Sequence, residues 1–135
     1  MVEATGGCLC GAVRYRVSGA AMNVTHCHCT MCRRASGAPV VTWLIVAPSE
    51  FAFTQGAAKL YRSSPRAVRG FCADCGTPLT FVADKVAASE VDITVASLDD
   101  PALFPPRKHI YTESRIPWFS CDPQLPAQAG SSSGA

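Results

Sequence analysis

Hydrophobic and polar residues alternate with a period of two near the start of the chain, at Val13, Tyr15 and Val17. This period is typical of a strand with one buried face. Further runs rich in β-branched and aromatic residues predict short strands at 40–46, 68–71, 79–82 and 91–95. Glycines and prolines separate these runs, and no long stretch keeps a helical period. The pattern predicts a mainly β fold.

Helix is expected only as one or two turns, at 30–35 and at 101–104, where Asp99 or Asp100 could cap a turn that begins with proline. Five aromatic residues lie in or beside the strand-like runs. We interpret them as core residues. They are Trp43, Phe51, Phe53, Phe71 and Phe81.

The chain length favours one small domain. Of 135 residues, 48% are hydrophobic and only 16% are charged, which is enough apolar material to bury a core. From Asp122 onward the sequence is rich in Pro, Gln, Gly and Ser, with Leu125 as its one large apolar side chain. We therefore predict a domain over 1–121 and a flexible tail over 122–135.

Charge and hydropathy exclude two classes of partner. Twelve basic and ten acidic residues give a net charge of +2 without a basic stripe, which argues against nucleic acid. No window approaches the roughly 20 apolar residues that cross a bilayer, and no export signal is recognisable at the N-terminus. We expect a cytoplasmic protein without membrane contact. In that reducing compartment its eight cysteines are better explained as metal ligands than as disulfides.

Two cysteine pairs suit a closed metal site. Cys8 and Cys10 are two residues apart, so on an extended segment their sulfurs project to the same side. Cys72 and Cys75 form a C-x-x-C turn followed by Gly76, which permits the tight backbone turn of a metal knuckle. Together they predict a structural zinc site of four thiolates; the alternative is reduced, buried cysteine without metal.

A second site is predicted from three remaining cysteines, Cys27, Cys29 and Cys32. Three protein ligands and one exchangeable position are typical of catalytic zinc. If the segment around Cys27 is extended, His26 and His28 face away from the metal. Two alternatives stay open: a bend could bring one histidine in as a fourth ligand, or the Cys29/Cys32 pair could join the second C-x-x-C pair in a zinc ribbon.

Four segments, GGCLCGAVRYRVSG, HCHCTMCRRASGA, RGFCADCGTPLTF and HIYTESRIPWF, closely resemble the glutathione-dependent formaldehyde-activating enzyme family, which includes centromere-protein-V-like proteins. The resemblance implies a mainly β, Mss4-like (β-tent) zinc-binding fold with two zinc ions per chain. The structural zinc would be bound by Cys8, Cys10, Cys72 and Cys75. The catalytic zinc would be bound by Cys27, Cys29 and Cys32.

The resemblance also implies a carbon-sulfur lyase reaction, in which glutathione adds to formaldehyde to give S-(hydroxymethyl)glutathione. The partners would be a small thiol and an aldehyde. A zinc bound by three thiolates is negatively charged, so a nearby cation should assist the reaction. Arg33, directly after Cys32, is the predicted catalytic cation, and Arg34 is as readily explained as a surface residue. His109 and Trp118 are expected either to line the substrate groove or to pack in the core.

Cys121 lies outside the clusters and admits three interpretations: an incidental thiol, a distant fourth zinc ligand or a nucleophile. The last would suit a relative of the type B methionine sulfoxide reductases, although WFSCDP does not match their active-site strand. The main alternative function is a non-enzymatic zinc module with two closed sites that binds a partner or senses metal or thiol stress. The sequence leaves the oligomeric state open.

Overall fold

The computed structural model describes residues 2–21 and 23–131. Ten strands and one α-helix organise this part of the chain. The strands are β1 (Val2–Gly7), β2 (Arg14–Gly19), β3 (Asn23–Cys27), β4 (Val41–Val46), β5 (Phe51–Gln55), β6 (Lys59–Ser64), β7 (Ala67–Phe71), β8 (Pro78–Ala83), β9 (Val91–Thr94) and β10 (Lys108–Ile110). The helix, α1, spans Thr30–Ser36. The predicted mainly β, tent-like fold is confirmed.

The smaller sheet has three antiparallel strands in the order β1-β2-β5. The alternation seen in the sequence is realised in β2, where Tyr15 and Val17 are buried and Arg16 between them is exposed. The Tyr15 hydroxyl shares a hydrogen bond of 2.7 Å with the Ser97 hydroxyl. The buried face of this sheet therefore contributes to the main core, together with residues of the larger sheet.

The larger sheet has seven strands in the order β10-β3-β4-β9-β8-β7-β6. Val24, Leu44 and Ile93, which pair in register across β3, β4 and β9, are almost fully buried in the main core, as is Leu79 of β8. Trp43, which pairs with Thr25 of β3, belongs to a second, smaller apolar cluster that contains Cys27 and Cys32. The two clusters explain why every residue of β4 except Thr42 is hydrophobic, because both faces of the strand are covered.

Short helical turns form where the sequence predicted them. The helix α1 begins after Cys29 and ends at Gly37, whose φ of 70° is the left-handed conformation that glycine adopts readily. A 3-10 turn spans Pro101–Leu103, with Asp100 at its N-terminal boundary but without a side-chain capping hydrogen bond. Within the described residues, no helix is long and apolar enough to cross a membrane.

The segment after Cys121 lies along the edge strand β10. The backbone N–H of His109 donates to the carbonyl of Pro126, and the N–H of Gln128 donates to the carbonyl of His109. The Lys108 ammonium also donates to the Gln128 side chain, at 2.8 Å. Over 122–131 the predicted flexible tail is thus hydrogen-bonded to the sheet, because β10 offers unpaired backbone groups. Residues 132–135 lie outside the described residues, and a domain boundary after residue 121 stays a prediction.

The predicted aromatic core is only partly correct. Trp43 is 4% exposed, and Phe51 and Phe81 are half-buried against the two apolar clusters. The prediction was wrong for Phe53, which is 36% exposed on the short strand β5. Its ring instead packs edge-on against Phe51, with centroids 5.0 Å apart.

Candidate functional site

The structure brings four cysteines together, two from the β1–β2 connection and two from the β7–β8 connection. The sulfurs of Cys8, Cys10, Cys72 and Cys75 all lie within 4.8 Å of one another. Cys10 links the two pairs, since its sulfur is 3.7 Å from that of Cys8 and 3.8 Å from that of Cys72. This is the predicted grouping, and four soft donors at this separation can hold a zinc ion.

The first half of this cluster is shaped by backbone hydrogen bonds. The N–H of Val13 donates to the sulfur of Cys8 at 3.2 Å, and the N–H of Gly11 donates to the carbonyl of Cys8. Gly11 has a φ of 83°, which turns the chain back on itself directly after Cys10. The loop therefore presents both sulfurs to the same point.

The second half repeats this design. The N–H of Cys75 donates to the sulfur of Cys72 at 3.5 Å, and Gly76 turns the chain with a φ of 81°. Hydrogen bonds with the hydroxyl and backbone of Thr77 lower the pKa of the Cys75 thiol to about 5. A thiol that ionises this readily is a good metal ligand, because the thiolate is the form that binds.

The second cysteine cluster lies at the start of α1. Cys27 ends β3, Cys29 occupies the N-cap position of the helix and Cys32 lies in its first turn. Their three sulfurs lie within 4.8 Å of one another. Cys27 and Cys32 are buried, whereas Cys29 is half-exposed. The cluster is thus open to solvent on the Cys29 side.

Hydrogen bonds shift the pKa values of the three thiols in different directions. The backbone N–H of Cys32 donates to the sulfur of Cys29 at 3.2 Å. Hydrogen bonds with Cys27 and Cys32 lower the pKa of Cys29 to about 2, and the contact with Cys29 raises the pKa of Cys27. Three thiols this close together therefore resist ionising at the same time. A divalent cation would remove that resistance.

Arg69 of β7 is a functional candidate that sequence analysis missed. One Nη of its guanidinium lies 3.5 Å from the sulfur of Cys32, and its plane lies over the Phe81 ring at 4.9 Å from the centroid. Its Nε–H is buried and has no hydrogen-bond partner. The position of Arg69 three residues before Cys72, within a segment that carried the family resemblance, could have identified it.

The predicted catalytic residue Arg33 has a different hydrogen-bond partner from Arg69. It is half-buried on α1, and its Nη2 donates to the hydroxyl of Thr30 at 3.3 Å. Its Nε is also buried without a partner. Arg34, the neighbouring candidate, is exposed. Arg33 therefore lies beside the cluster, and its catalytic role stays a prediction.

Tyr111 also faces the three cysteines and was not identified from the sequence. It packs against the apolar cluster that contains Cys27 and Cys32, and its φ of 54° is unusual for a residue other than glycine. Burial and the negative charge of the nearby cysteines raise the pKa of its hydroxyl. The phenol therefore remains a proton donor beside the cluster at neutral pH.

His26 of β3 and His28, which directly follows this strand, face away from the cysteine cluster, as predicted for an extended segment. The rings of His26 and His28 flank that of His109, with centroid separations of 5.2 and 5.0 Å. His109 is largely buried in this stack but also lines a surface cavity, and Trp118 is 77% exposed. Among the described residues, no histidine groups with Cys27, Cys29 and Cys32, and the zinc-ribbon pairing is not formed.

Cys121 belongs to neither cysteine cluster. Its sulfur, a ring nitrogen of His26 and a carboxylate oxygen of Asp122 lie within 4.8 Å of one another. Cys121 is half-buried, and burial followed by the charge of Asp122 raises the pKa of its thiol. The electrostatic environment therefore does not activate Cys121 as a nucleophile.

Comparison with known protein families gives a match over most of the chain. The family described as "Glutathione-dependent formaldehyde-activating enzyme" matches residues 3–114. A curated relative, an uncharacterized lyase of Schizosaccharomyces pombe, is 32% identical over 81 residues. That alignment covers 60% of this chain and 58% of the relative, so the two proteins match over little more than half of their lengths.

A solved structure has a similar fold. The crystal structure of a Rhodobacter sphaeroides protein, a structural genomics target, matches with a TM-score of 0.58 and 27% sequence identity. The match covers 70% of this chain and 87% of that protein. Both clusters of cysteines lie within the residues that the family match spans.

Proposed function

The chain belongs to the glutathione-dependent formaldehyde-activating enzyme family, and from this membership we propose that it is a zinc-dependent, carbon-sulfur lyase-like enzyme. Its active site would be the cluster of Cys27, Cys29 and Cys32. The substrates would be a small thiol, glutathione in the family's named reaction, and formaldehyde or a related aldehyde. The curated relative named as a lyase supports this class of activity. A cytoplasmic location and the absence of a nucleic-acid partner stay predictions.

The donor sets fit two zinc ions with different roles. Cys8, Cys10, Cys72 and Cys75 supply four thiolates, which would complete a tetrahedral structural site. Cys27, Cys29 and Cys32 supply three, which would leave one position for substrate. When bound there, zinc would supply Lewis acidity and lower the pKa of a coordinated thiol from its usual value of about 8.5.

Arg69 and Tyr111 would support the reaction from the protein side. The guanidinium of Arg69 donates toward the sulfur of Cys32 and so offsets the negative charge of a thiolate cluster. Arg33, beside the cluster on α1, would add a second positive charge.

The proposed reaction requires no external oxidant or reductant, because it adds a thiol to a carbonyl group. The substrate thiol loses its proton, its sulfur forms a bond to the carbonyl carbon, and the carbonyl oxygen takes up a proton to become the hydroxyl of the adduct. The reverse direction breaks the same carbon-sulfur bond. Tyr111, whose hydroxyl keeps its proton at neutral pH beside the cysteines, would be the proton carrier to that oxygen.

One observation carries the proposal: the cluster of Cys27, Cys29 and Cys32 has only three sulfurs and is half-exposed at Cys29, whereas the other cysteine cluster has four sulfurs. The test is formation of the hydroxymethyl thioether from glutathione and 13C-formaldehyde, followed by NMR, together with metal analysis. We expect Cys29→Ser to lose about one zinc and the activity while its circular dichroism is unchanged. Met31→Leu, an exposed change in the same helix, is the matched control.

X-ray absorption at the zinc edge distinguishes the enzyme from a closed zinc module. In the enzyme, added thiol replaces a light-atom ligand by sulfur at one of the two metals. Four protein ligands at both metals, together with no thioether formation, would contradict the proposal. Activity in the Cys29→Ser variant equal to that of the Met31→Leu control would contradict the assignment of the site.

A further inference from the structure

A third group of metal-binding side chains lies apart from the two cysteine clusters. We propose that His26, Cys121 and Asp122 form a separate zinc site. Their three donor atoms, an imidazole nitrogen, a thiol sulfur and a carboxylate oxygen, lie within 4.8 Å of one another. The three side chains connect β3, which contains His26, to the C-terminal segment that contains Cys121 and Asp122. Neither cysteine cluster includes a residue of this C-terminal segment.

The backbone at residue 122 makes this convergence possible. Cys121 and Asp122 are consecutive, and consecutive side chains of an extended segment point to opposite sides. Asp122 has a φ of 42°, in the left-handed region, which reverses the chain direction and brings both side chains toward His26. A simple hydrogen bond between His26 and Asp122 would not require the sulfur of Cys121 to lie beside it.

The donor set suits zinc in type and in charge. Nitrogen, sulfur and carboxylate oxygen are the three kinds of ligand that zinc takes from proteins. A Cys121 thiolate and an Asp122 carboxylate together carry two negative charges, which the two positive charges of a divalent ion neutralise. A neutral site is favourable here because His26 is buried and Cys121 is half-buried.

His26 can exchange its present hydrogen bond for a metal without losing its other partner. Its Nε2 lies 2.8 Å from Oδ2 of Asp122, and its Nδ1 lies 2.8 Å from the hydroxyl of Thr42. A hydroxyl can donate or accept, so Thr42 satisfies Nδ1 in either tautomer. On metal binding the imidazole proton would move from Nε2 to Nδ1, and only the thiol proton of Cys121 would be released to solvent. A ligating histidine oriented through its second nitrogen in this way is the usual arrangement.

The site is accessible for a metal and for a further ligand. Cys121 lines a surface cavity of about 420 Å³ together with His28, His109 and Arg115. Asp122 is also partly exposed, with 43% of its side-chain surface accessible. Water could therefore complete the coordination of the ion from this cavity.

Cobalt titration of the full-length protein tests the site. Two equivalents of Zn²⁺ per chain are first added, enough only for the two thiolate-rich cysteine clusters, and Co²⁺ is then titrated while the visible and near-ultraviolet spectra are recorded. We expect saturable binding of about one equivalent, with a thiolate-to-cobalt charge-transfer band from Cys121. Cys121→Ser should abolish this band, and Asp122→Asn should weaken the binding of Co²⁺. Ser120→Ala, a neighbour that lines the same cavity, should behave as the wild type.

A band of equal intensity in Cys121→Ser would show that cobalt has entered a cysteine cluster, and would overturn the proposal. The absence of any saturable band in the wild type would also overturn it. As a second readout, added Zn²⁺ should raise the Tm of the zinc-loaded wild type but not that of Cys121→Ser. Because the comparison is between Cys121→Ser and the wild type, it does not depend on whether the Cys27 cluster is catalytic.

Discussion

His28 and His109 share one hydrogen bond, from Nε2 of His28 to Nδ1 of His109 at 2.8 Å. The direction of this bond follows from its surroundings. Nε2 of His109 lies 2.9 Å from the carbonyl oxygen of Asp122, which can only accept, so His109 carries its proton on Nε2. Nδ1 of His109 is then an acceptor, and His28 must carry its proton on Nε2 as well.

This relationship predicts the protonation of His28. Burial, and then the charge of His109, lower the pKa of His28 to about 4. Nitrogen-15 NMR should therefore find His28 as the neutral Nε2–H tautomer at neutral pH, and still neutral at roughly pH 6, below the usual histidine pKa of about 6.5. The pKa of His28 is lower in the folded state than in the unfolded state, so protonation of His28 opposes folding. Its neutral ring therefore makes its full contribution to the stability of the fold above about pH 6.5, and this contribution is lost as the pH falls toward 4. An Nδ1–H signal from His28 would contradict the assigned direction.

Arg69 is predicted to assist the reaction through the sulfur of Cys32. A hydrogen bond to a charged group contributes about 1.5–3 kcal/mol, so Arg69→Met should lower kcat/KM by about 10- to 100-fold. Arg69→Lys keeps the charge but not the planar guanidinium over Phe81, and should recover only part of the activity. Arg66→Met, a change at an exposed residue near the start of the same strand, serves as the control. Equal activity in the Arg69 and Arg66 variants would rule out this role.

Cys72 is predicted to be needed for folding. It is 1% exposed, packs in the main core and contributes to the four-cysteine cluster. A structural zinc contributes about 10–16 kcal/mol in small domains, which is comparable with the total stability of a domain. Cys72→Ser should therefore lose the cooperative thermal transition in circular dichroism, as should the wild type treated with a strong chelator. A folded Cys72→Ser variant with its zinc content unchanged would show that this cluster does not bind a structural metal.

The sequence predicted the cysteine groups well because their spacing is a local property. A C-x-C pair or a C-x-x-C turn positions two sulfurs by backbone geometry alone, so Cys8 and Cys10 could be recognised without the fold. Arg69 could not be recognised in this way. Its contact with Cys32 joins residues 37 positions apart, and it depends on the sheet that brings β7 toward α1.

The docking of the segment 122–131 could not be predicted from its composition. The segment is polar and rich in Pro and Gly, which usually indicates disorder. It is held by backbone hydrogen bonds to His109 and by a side chain of Asp122 that reaches His26, 96 residues earlier. Such contacts depend on where the edge strand β10 lies, because backbone groups pair irrespective of side-chain type. Composition therefore describes what the segment can bury, but not what it can pair with.

Asp92 is predicted to make stability depend on pH. Burial, and then the charge of Glu90, raise the pKa of its carboxyl group to about 7. The folded state consequently binds a proton that the unfolded state has lost, so Asp92 lowers stability progressively as the pH rises from about 4 to about 7. Its strand position opposite Phe81 and Ile45 explains the burial, since both neighbours are apolar.

Thermal unfolding at roughly pH 6 and roughly pH 8 tests this effect while thiolate ligands stay competent to bind metal. Asp92→Asn keeps the shape of the side chain but removes the charge, so it should raise the Tm, and by more at the higher pH. Asp100→Asn makes the same chemical change at an exposed residue and should give no such difference between the two pH values. If Asp92→Asn instead lowers the Tm equally at both, Asp92 acts through a hydrogen bond that asparagine cannot reproduce, and its ionisation does not oppose folding.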